Sequence, residues 1–376
     1  MIATAWFEGF KLLRNVSLDL DRLNVIVGRN GVGKSSVLDG IHYLLQMASP
    51  KVGRDPQSNA NPAQRVFSGQ RAPDLLVAKP AGDSFGLGVV DSEGTDFSVR
   101  VGIAGSRPRY EATFRRETID SSVPRLSWNQ FLQDATKAGL GSVLRLRLDA
   151  RALAEDHYSE TDHPRMEFDG EGLASVLQYL QGLRDGTLET IEADLSKVVP
   201  NAKRIRALPA KINRPERVRI SVDGQDSWHD QIKARTGSRF EVEFEGLDWI
   251  RSDQLSEGTL LALGIVTALR HHAPRLVLLD DMDRGLHPVA QLELVRLLRA
   301  VPADDEDLQI IATSHSPFVL DAIEASETFV ASSVDSMSTD VARLDSHPEW
   351  EKRSRFMHPG EFWSAVGEGW VAEPRP

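Results

Sequence analysis

The chain contains no cysteine, which excludes disulfides and thiolate metal sites. It also lacks a long apolar run. The longest, Thr259 to Leu269, is too short to span a bilayer. Met1 to Leu20 carries Glu8, Lys11, Arg14 and Asp19 in place of the clean apolar core of a signal peptide. A cytoplasmic protein is expected. An excess of positive charge is missing as well: 44 Lys and Arg stand against 55 Asp and Glu, a net charge of -11. That argues against a generally basic nucleic-acid coat and leaves room for a local basic groove. No internal repeat, low-complexity tract or sustained heptad pattern occurs. What remains is an ordinary globular composition, 41% hydrophobic and 26% charged over 376 residues, enough for one elaborated α/β domain or two domains.

One stretch dominates. Gly28-Arg29-Asn30-Gly31-Val32-Gly33-Lys34-Ser35 fits G-x-x-x-x-G-K-[ST], a loop that cradles phosphates. Ahead of it, Leu23 to Val27 is short, apolar and β-branched, as a buried strand is. Behind it, Val37, Leu38, Ile41, Leu44 and Leu45 recur at helical spacing from Ser35 to Met47. The glycines let backbone N–H groups turn onto phosphate oxygens, and the helix N-terminus adds positive potential. Gly28, Arg29, Asn30, Gly31, Val32, Gly33, Lys34, Ser35 and Ser36 are the nucleotide-binding candidates. Lys34 is expected to reach the outer phosphates and the Ser35 hydroxyl to bind Mg²⁺. The competing explanation, a chance glycine turn with a surface lysine, does not account for the flanking strand and helix.

Along the chain, residues 2–20 read as two strands around a turn at Glu8-Gly9-Phe10, and residues 49–64 as a loop rich in Pro, Asn, Ser and Gly. Phe85–Val90, Asp96–Ile103 and Arg109–Arg116 alternate like an antiparallel meander. A helix is expected from Ser127 to Ala138 and a half-exposed strand over Leu144 to Leu148. Asp169 to Val199 reads as a helical hairpin. Strands are expected at Val218–Val222 and Phe240–Phe244, then helix Thr259–His271, strand Leu276–Leu279, helix Val289–Ala300 and strand Gln309–Thr313. Strand–helix–strand alternation at both ends predicts an α/β fold whose mixed or parallel sheet is assembled from the two ends. The division expected is 1–125 for the phosphate loop and meander, 126–240 for an inserted helical region, and 241–376 for the C-terminal part.

Three further stretches complete a nucleotide site. Arg275 to Asp281 is an apolar strand ending in Asp280 and Asp281. Such a strand fixes a Mg²⁺-organising carboxylate at the ligand-binding edge of an open sheet, although a strand-end turn alone would look the same. Leu255-Ser256-Glu257-Gly258-Thr259 precedes a long apolar helix. Ser256 can N-cap that helix, and Gly258 admits a close approach by phosphate; a plain capping segment is the simpler explanation. Thr313-Ser314-His315-Ser316-Pro317 follows the last strand, where His315 is either a buried core histidine or a γ-phosphate sensor.

Taken in this order, these stretches resemble the ATP-binding-cassette-type ATPases of the chromosome-maintenance and recombination class. Within it the chain is similar to stand-alone AAA family ATPases related to the overcoming-lysogenization-defect and Septu-type phage-defence proteins. The resemblance rests on Ser256-Glu257-Gly258-Thr259, Gly285-Leu286-His287-Pro288, Thr313 to Pro317 and the N-terminal Phe10-Lys11-Leu12-Leu13-Arg14. It covers residues 1–48 and 250–320 well and the middle loosely. It implies an ABC-type head with an N-terminal β meander and an inserted helical subdomain, and a head-to-tail homodimer holding two ATP molecules. In that arrangement Lys34 and Ser35 bind phosphate and Mg²⁺, and Asp280 supports Mg²⁺. Ser256 and Gly258 contact the partner's γ-phosphate, Leu286 and His287 lie at the dimer loop, and His315 is the switch histidine. A glutamine should bind Mg²⁺ or the attacking water, with Gln70 and Gln64 as candidates. Where the class usually has a water-polarising Glu, this chain has Asp281, shorter by roughly 1.5 Å. A misplacement of about 1 Å can cost on the order of 10²-fold in rate, so hydrolysis is expected to be slow unless Asp283 compensates.

The function expected is an ATPase switch controlling a separate effector, a nuclease or toxin, in prokaryotic phage defence. The tail after the last motif leaves no space for an attached nuclease domain of the overcoming-lysogenization-defect kind, so the effector is expected on another chain. The alternative is a DNA-repair or recombination ATPase acting directly on DNA. The long stretch between Ser35 and Ser256 argues against a transporter subunit, and the missing heptads argue against a coiled-coil DNA tether. Basic clusters at Arg115-Arg116, Arg145 with Arg147, Lys203-Arg204 with Arg206, and Arg214, Arg217 with Arg219 are candidates for a DNA groove, or else solvated surface.

Overall fold

The computed structural model describes residues 1–49, 60–68, 72–77, 82–103, 107–122, 125–222, 225–272, 274–304, 308–333 and 338–372. They fall into two compact units. One holds Met1–Arg145, Pro274–Asp283 and Val295–Pro376; the other holds Leu146–Ala273 and Arg284–Leu294. Residues 126–145 thus group with the first unit and 241–273 with the second.

In the first unit, β1 (Ile2–Phe10) and β2 (Leu13–Asp19) form a hairpin. β3 (Leu23–Val27) is buried throughout and leads through the phosphate loop into α1 (Lys34–Met47). β4 (Ser84–Asp91), β5 (Asp96–Gly102), β6 (Arg109–Phe114) and β7 (Glu117–Asp120) continue the first sheet, whose order is β2-β1-β4-β5-β6-β7. Among the described residues its strands all pair antiparallel, so the expected meander is present and one strand longer. β7 has no clear sequence signal because its connection to β6 is the dipeptide Arg115-Arg116. Both residues adopt positive φ, 49° and 68°, and so supply a two-residue primed turn without the Gly or Asn that normally announces one. Arg115 and Arg116 are therefore a hairpin tip and not part of a strand. The first hairpin also differs from expectation. Its turn lies at Lys11-Leu12, with Lys11 at φ 51°, because Phe10 is fully buried against Phe85 at 5.5 Å between ring centroids and keeps the strand running.

α2 (Arg125–Lys137) follows, then β8 (Val143–Leu146). β12 (Leu276–Leu279), β13 (Gln309–Ser314), β14 (Thr328–Ser333) and β15 (Thr339–Arg343) complete the second sheet, ordered β15-β14-β3-β13-β12-β8. β14, β3, β13 and β12 pair in parallel. Their nearly continuous burial is that of strands covered on both faces. The buried amide of Gln309 joins this sheet to the first strand: its Oε1 accepts from the Ile2 N–H at 3.0 Å, and its Nε2 donates to the Ile2 carbonyl at 2.8 Å. Part of the segment 49–64 read as a loop is instead helical, Pro62–Val66, started by an Asn61–Gln64 capping box; residues 50–59 lie outside the described set.

In the second unit, α3 (Leu173–Leu183) and α4 (Thr187–Val198) form the expected helical hairpin. They accompany α5 (Glu257–His271), which is buried along most of its length. Asp194 on α4 is buried and paired with Arg270 on α5 at 2.7 Å. α6 (Pro288–Asp304) begins in this unit. The larger surprise is a ribbon. β9 (Ala202–Val222) and β10 (Gln225–Phe244) pair antiparallel over almost their whole length, with β11 (Trp249–Arg251) beside β10. Sequence patterning predicted only the far end of each long strand. Pro209 and Pro215 argue against a strand, yet β9 is an edge strand of the order β11-β10-β9, where proline's missing N–H is tolerated. Among the described residues no helix is long and apolar enough to cross a membrane.

Candidate nucleotide site

Because β3, β12 and β13 run parallel, their C-terminal ends share one sheet edge, where open α/β sheets bind ligands. The phosphate loop follows β3, Asp280 follows β12, and Thr313 to Ser316 close β13. The loop's shape is fixed by its own chain. Gly33 is the N-cap of α1 at φ 99°, and a Cβ there would meet the Thr339 hydroxyl at 2.6 Å. Thr339 in turn donates to the Val32 carbonyl at 2.6 Å. Lys34 is buried, and its ammonium donates to the Gly28 and Arg29 carbonyls, both at 2.9 Å.

Asp280, 4% exposed, is the centre of the cluster. Its Oδ1 accepts from the Thr313 hydroxyl at 2.7 Å and from the Ser35 hydroxyl at 3.1 Å. Its Oδ2 accepts from Arg145 Nη2 at 2.9 Å. Burial alone would raise its pKa. The Arg145 charge, with hydrogen bonds from Arg145, Thr313 and Ser35, outweighs burial and holds the carboxyl below the usual value of 3.8. The stability this ionisation contributes is complete above that unfolded-state value and is lost as pH falls through the lower folded one. Lys34 is shifted the other way from its preference for charge. Burial lowers its pKa, against the opposing pull of Asp281, Asp280, Asp283 and Glu368.

Asp281 occupies the left-handed region at φ 52°, uncommon for a residue other than glycine and a frequent mark of functional positions. Its N–H donates to Thr313 Oγ1 at 2.9 Å, and its carboxylate lies 3.7 Å from His315 Nε2. His315 is exposed, which excludes the buried-core alternative, and its N–H donates to Asp283 Oδ1 at 3.4 Å. Pairwise contacts thus run from Ser35 to Asp280, on to Thr313 and Asp281, and from Asp281 through His315 to Asp283.

In the second unit, Ser256 N-caps α5, its hydroxyl oxygen accepting from the Thr259 N–H at 3.2 Å. Ser256 is exposed and Gly258 buried. A Cβ on Gly258 would meet the Gly285 carbonyl at 2.5 Å, so the close approach expected there is met within the chain. Arg284 fastens the same region, donating to Glu257 and to the Leu148 carbonyl, each at 2.9 Å. Leu286 is buried and His287 exposed. Of the two glutamine candidates, Gln64 uses its side-chain oxygen to accept from the Asn61 N–H at 3.0 Å. Gln70 lies outside the described residues.

Two site residues escaped the sequence. Arg145, grouped with Arg147 as a groove candidate, is buried against Asp280 and Asp39; Arg147 is exposed. Asp39 follows Ser35 by one helical turn on α1 and pairs with both Arg145 and Lys11. Elsewhere in the proposed groove, Arg206 is neutralised by Glu241 at 2.5 Å and Lys203 by Glu245 at 2.9 Å; the side chains of Arg214, Arg217 and Arg219 lie outside the described set.

The residues present suit Mg²⁺ and a polyphosphate. A buried ammonium among carboxylates is matched to an anion, and a hydroxyl beside a carboxylate offers the hard oxygens that Mg²⁺ takes. Among the described residues no group of three or more His, Asp or Glu converges as a metal cage.

The chain is similar to several known proteins. Residues 23–321 match the family model described as "AAA domain, putative AbiEii toxin, Type IV TA system". The chain is 23% identical to an OLD nuclease of Thermus scotoductus over 98% of its own length and 69% of that protein's. It is 27% identical to a "putative ABC transporter ATP-binding protein" of Archaeoglobus fulgidus, over 50% of this chain and 64% of that one. Among solved structures it resembles an Smc head bound to the C-winged helix domain of ScpA, with a TM-score of 0.58 at 14% identity, over 92% of this chain and 98% of that one. It also resembles the Smc head of Pyrococcus furiosus, with a TM-score of 0.57 at 13% identity, over 94% and 99%. At such identities the likeness is one of fold: an α/β head with mixed sheets and an N-terminal antiparallel sheet.

Thr313 is a single hydroxyl serving two partners. Thr313→Val is expected to leave the Asp281 N–H unsatisfied, to remove a donor from Asp280, and to lower stability by about 2 kcal/mol. Urea unfolding measures this, and a loss under about 0.5 kcal/mol, the scatter of neutral substitutions, would contradict the arrangement.

Proposed function

We propose, from the premise that the chain belongs to this AAA-domain family, that it binds ATP with Mg²⁺ at the phosphate loop and hydrolyses it slowly. We further propose that it uses ATP-dependent pairing of two copies as a switch on a separate effector in prokaryotic phage defence. The observation that carries the reading is the convergence of Ser35 and Thr313 on the buried Asp280, with Lys34 buried beside them. When bound, Mg²⁺ would neutralise charge on the outer phosphates. Backbone N–H groups of Gly31 to Ser36 and the α1 N-terminus would hold the phosphates, with Lys34 turning from its loop carbonyls to the outermost. Asp281 would orient the attacking water, and His315 would face the γ-phosphate. The similarity to the OLD nuclease and the toxin–antitoxin description of the family favour a defence or toxin system over a transport role.

Asp281 sits where a longer carboxylate would reach further. Asp281→Asn should bind ATP and hydrolyse it at least about 10²-fold more slowly, while Asp281→Glu should keep or raise turnover. Normal hydrolysis by Asp281→Asn alongside an inactive Asp283→Asn would transfer the role to Asp283.

In the proposed dimer, the helix N-terminus at Ser256 meets the partner's ATP, where its N–H groups and the helix dipole favour a phosphate. Ser256 is exposed, so Ser256→Arg blocks that approach at about 1 kcal/mol of capping energy. Lys34→Ala and Ser256→Arg should each be inactive alone. Mixed, they form one composite site with both residues intact, and activity should return. No recovery in demonstrably mixed dimers, or full activity from a monomer at high dilution, would contradict the shared site.

A further inference from the structure

Arg145 lies at the centre of a charged chain that the proposed chemistry does not yet use. It projects from β8, the strand beside β12. Its Nη2 stands 2.9 Å from Asp280 Oδ2 and 3.2 Å from Asp39 Oδ1. Asp39 is held at its other oxygen by Lys11 Nζ at 2.7 Å. One guanidinium therefore joins the end of β12 to the helix that carries Ser35. Asp39 stands four residues after Ser35, and positions four apart share a helix face. The consequence falls on the geometry of Asp280. Its two oxygens have different partners: Oδ2 takes Arg145, while Oδ1 takes Thr313 and Ser35. A carboxylate gripped at both oxygens cannot rotate about its Cβ–Cγ bond, so Oδ1 is kept turned toward Ser35.

We infer that Arg145 is a positioning residue for the cation site: it holds Asp280 so that one oxygen faces Ser35, where Mg²⁺ bound with ATP would be held. The inference rests on the reading of this site as one for ATP and Mg²⁺, and it adds a determinant of cation affinity that lies behind the residues meeting the cation. A merely structural ion pair would have different consequences. Breaking a buried pair destabilises the fold, yet it does not single out the contribution of Mg²⁺ to nucleotide binding. Partners behind a metal ligand do, typically by 10- to 100-fold in metal affinity.

The test measures ATP affinity of the full chain by titration calorimetry, once in EDTA and once in Mg²⁺, for wild type, Arg145→Ala and Arg145→Lys. Thermal midpoints are recorded alongside. Wild type should bind ATP more tightly in Mg²⁺ than in EDTA. Arg145→Ala should match wild type in EDTA to within about threefold, while its gain from Mg²⁺ falls by about tenfold or more. Arg145→Lys keeps the charge but replaces the planar fork with a point donor. It should recover the thermal midpoint and still lose most of the Mg²⁺ gain, which also serves if Arg145→Ala fails to fold. An undiminished Mg²⁺ gain in either variant, or a parallel loss of affinity in both conditions, would overturn the inference while leaving the ATP site in place. A wild type that binds no ATP in either condition would overturn the proposed function, and this inference with it.

Discussion

The buried carboxylate of Asp280 constrains everything around it. A charge taken out of water is costly unless it is paired and hydrogen-bonded, and this one has acquired partners from three separate parts of the chain. Ser35 comes from the phosphate-loop helix, Thr313 from the last parallel strand and Arg145 from β8. Each hydrogen bond fixes the register of one element against the end of β12. The four-residue strand Leu276–Leu279 is wholly buried, so the carboxylate it delivers cannot retreat to solvent. The same bonds that solve the burial problem bring a hydroxyl, a carboxylate and a lysine into one place, and that assembly is what a Mg²⁺-bound nucleotide requires.

Around this anchor the chain uses backbone as much as side chains. Thr339 on β15 pins the phosphate loop through the Val32 carbonyl, so the last strand of the sheet shapes the first motif of the sequence. Asp281, in the left-handed region, is tied to β13 by its N–H bond to Thr313 Oγ1, and the next residue, Met282, by its N–H bond to the Thr313 carbonyl. Thr313 therefore sets the positions of two successive carboxylates. Such economy makes the site sensitive to substitutions that a sequence comparison would class as mild.

The parts of this arrangement that were legible in the sequence share one property: their signal is local. The phosphate loop with its strand and helix, the strand ending in Asp280, the helical hairpin and the helix opened by Ser256 all rest on contiguous patterns, and the structure contains them. What escaped depends on contacts between distant residues. Arg145 sits in an alternating Leu-Arg-Leu-Arg-Leu strand and looks like a surface residue there; only Asp39 and Asp280, far away in sequence, make it a buried one. The Arg115-Arg116 turn carries no glycine, and the long ribbon has prolines in a strand whose edge position excuses them. Gln64 is a candidate by sequence as a glutamine after the first helix; its capping box with Asn61 is signalled only by a short helix inside a segment rich in breakers.

The claim on which the rest depends is that Ser35 and Asp280 hold a divalent cation together with ATP. Electron paramagnetic resonance of Mn²⁺, used in place of Mg²⁺, reads this without turnover. With ATP present, wild-type protein is expected to reduce the sharp signal of solvated Mn²⁺ and to give the broadened signal of a bound ion, whereas Ser35→Ala and Asp280→Asn should leave far more of the ion in solution at the same ATP and protein concentrations. Equal Mn²⁺ uptake by wild type and both variants, each shown to be folded and ATP-bound, would contradict the account.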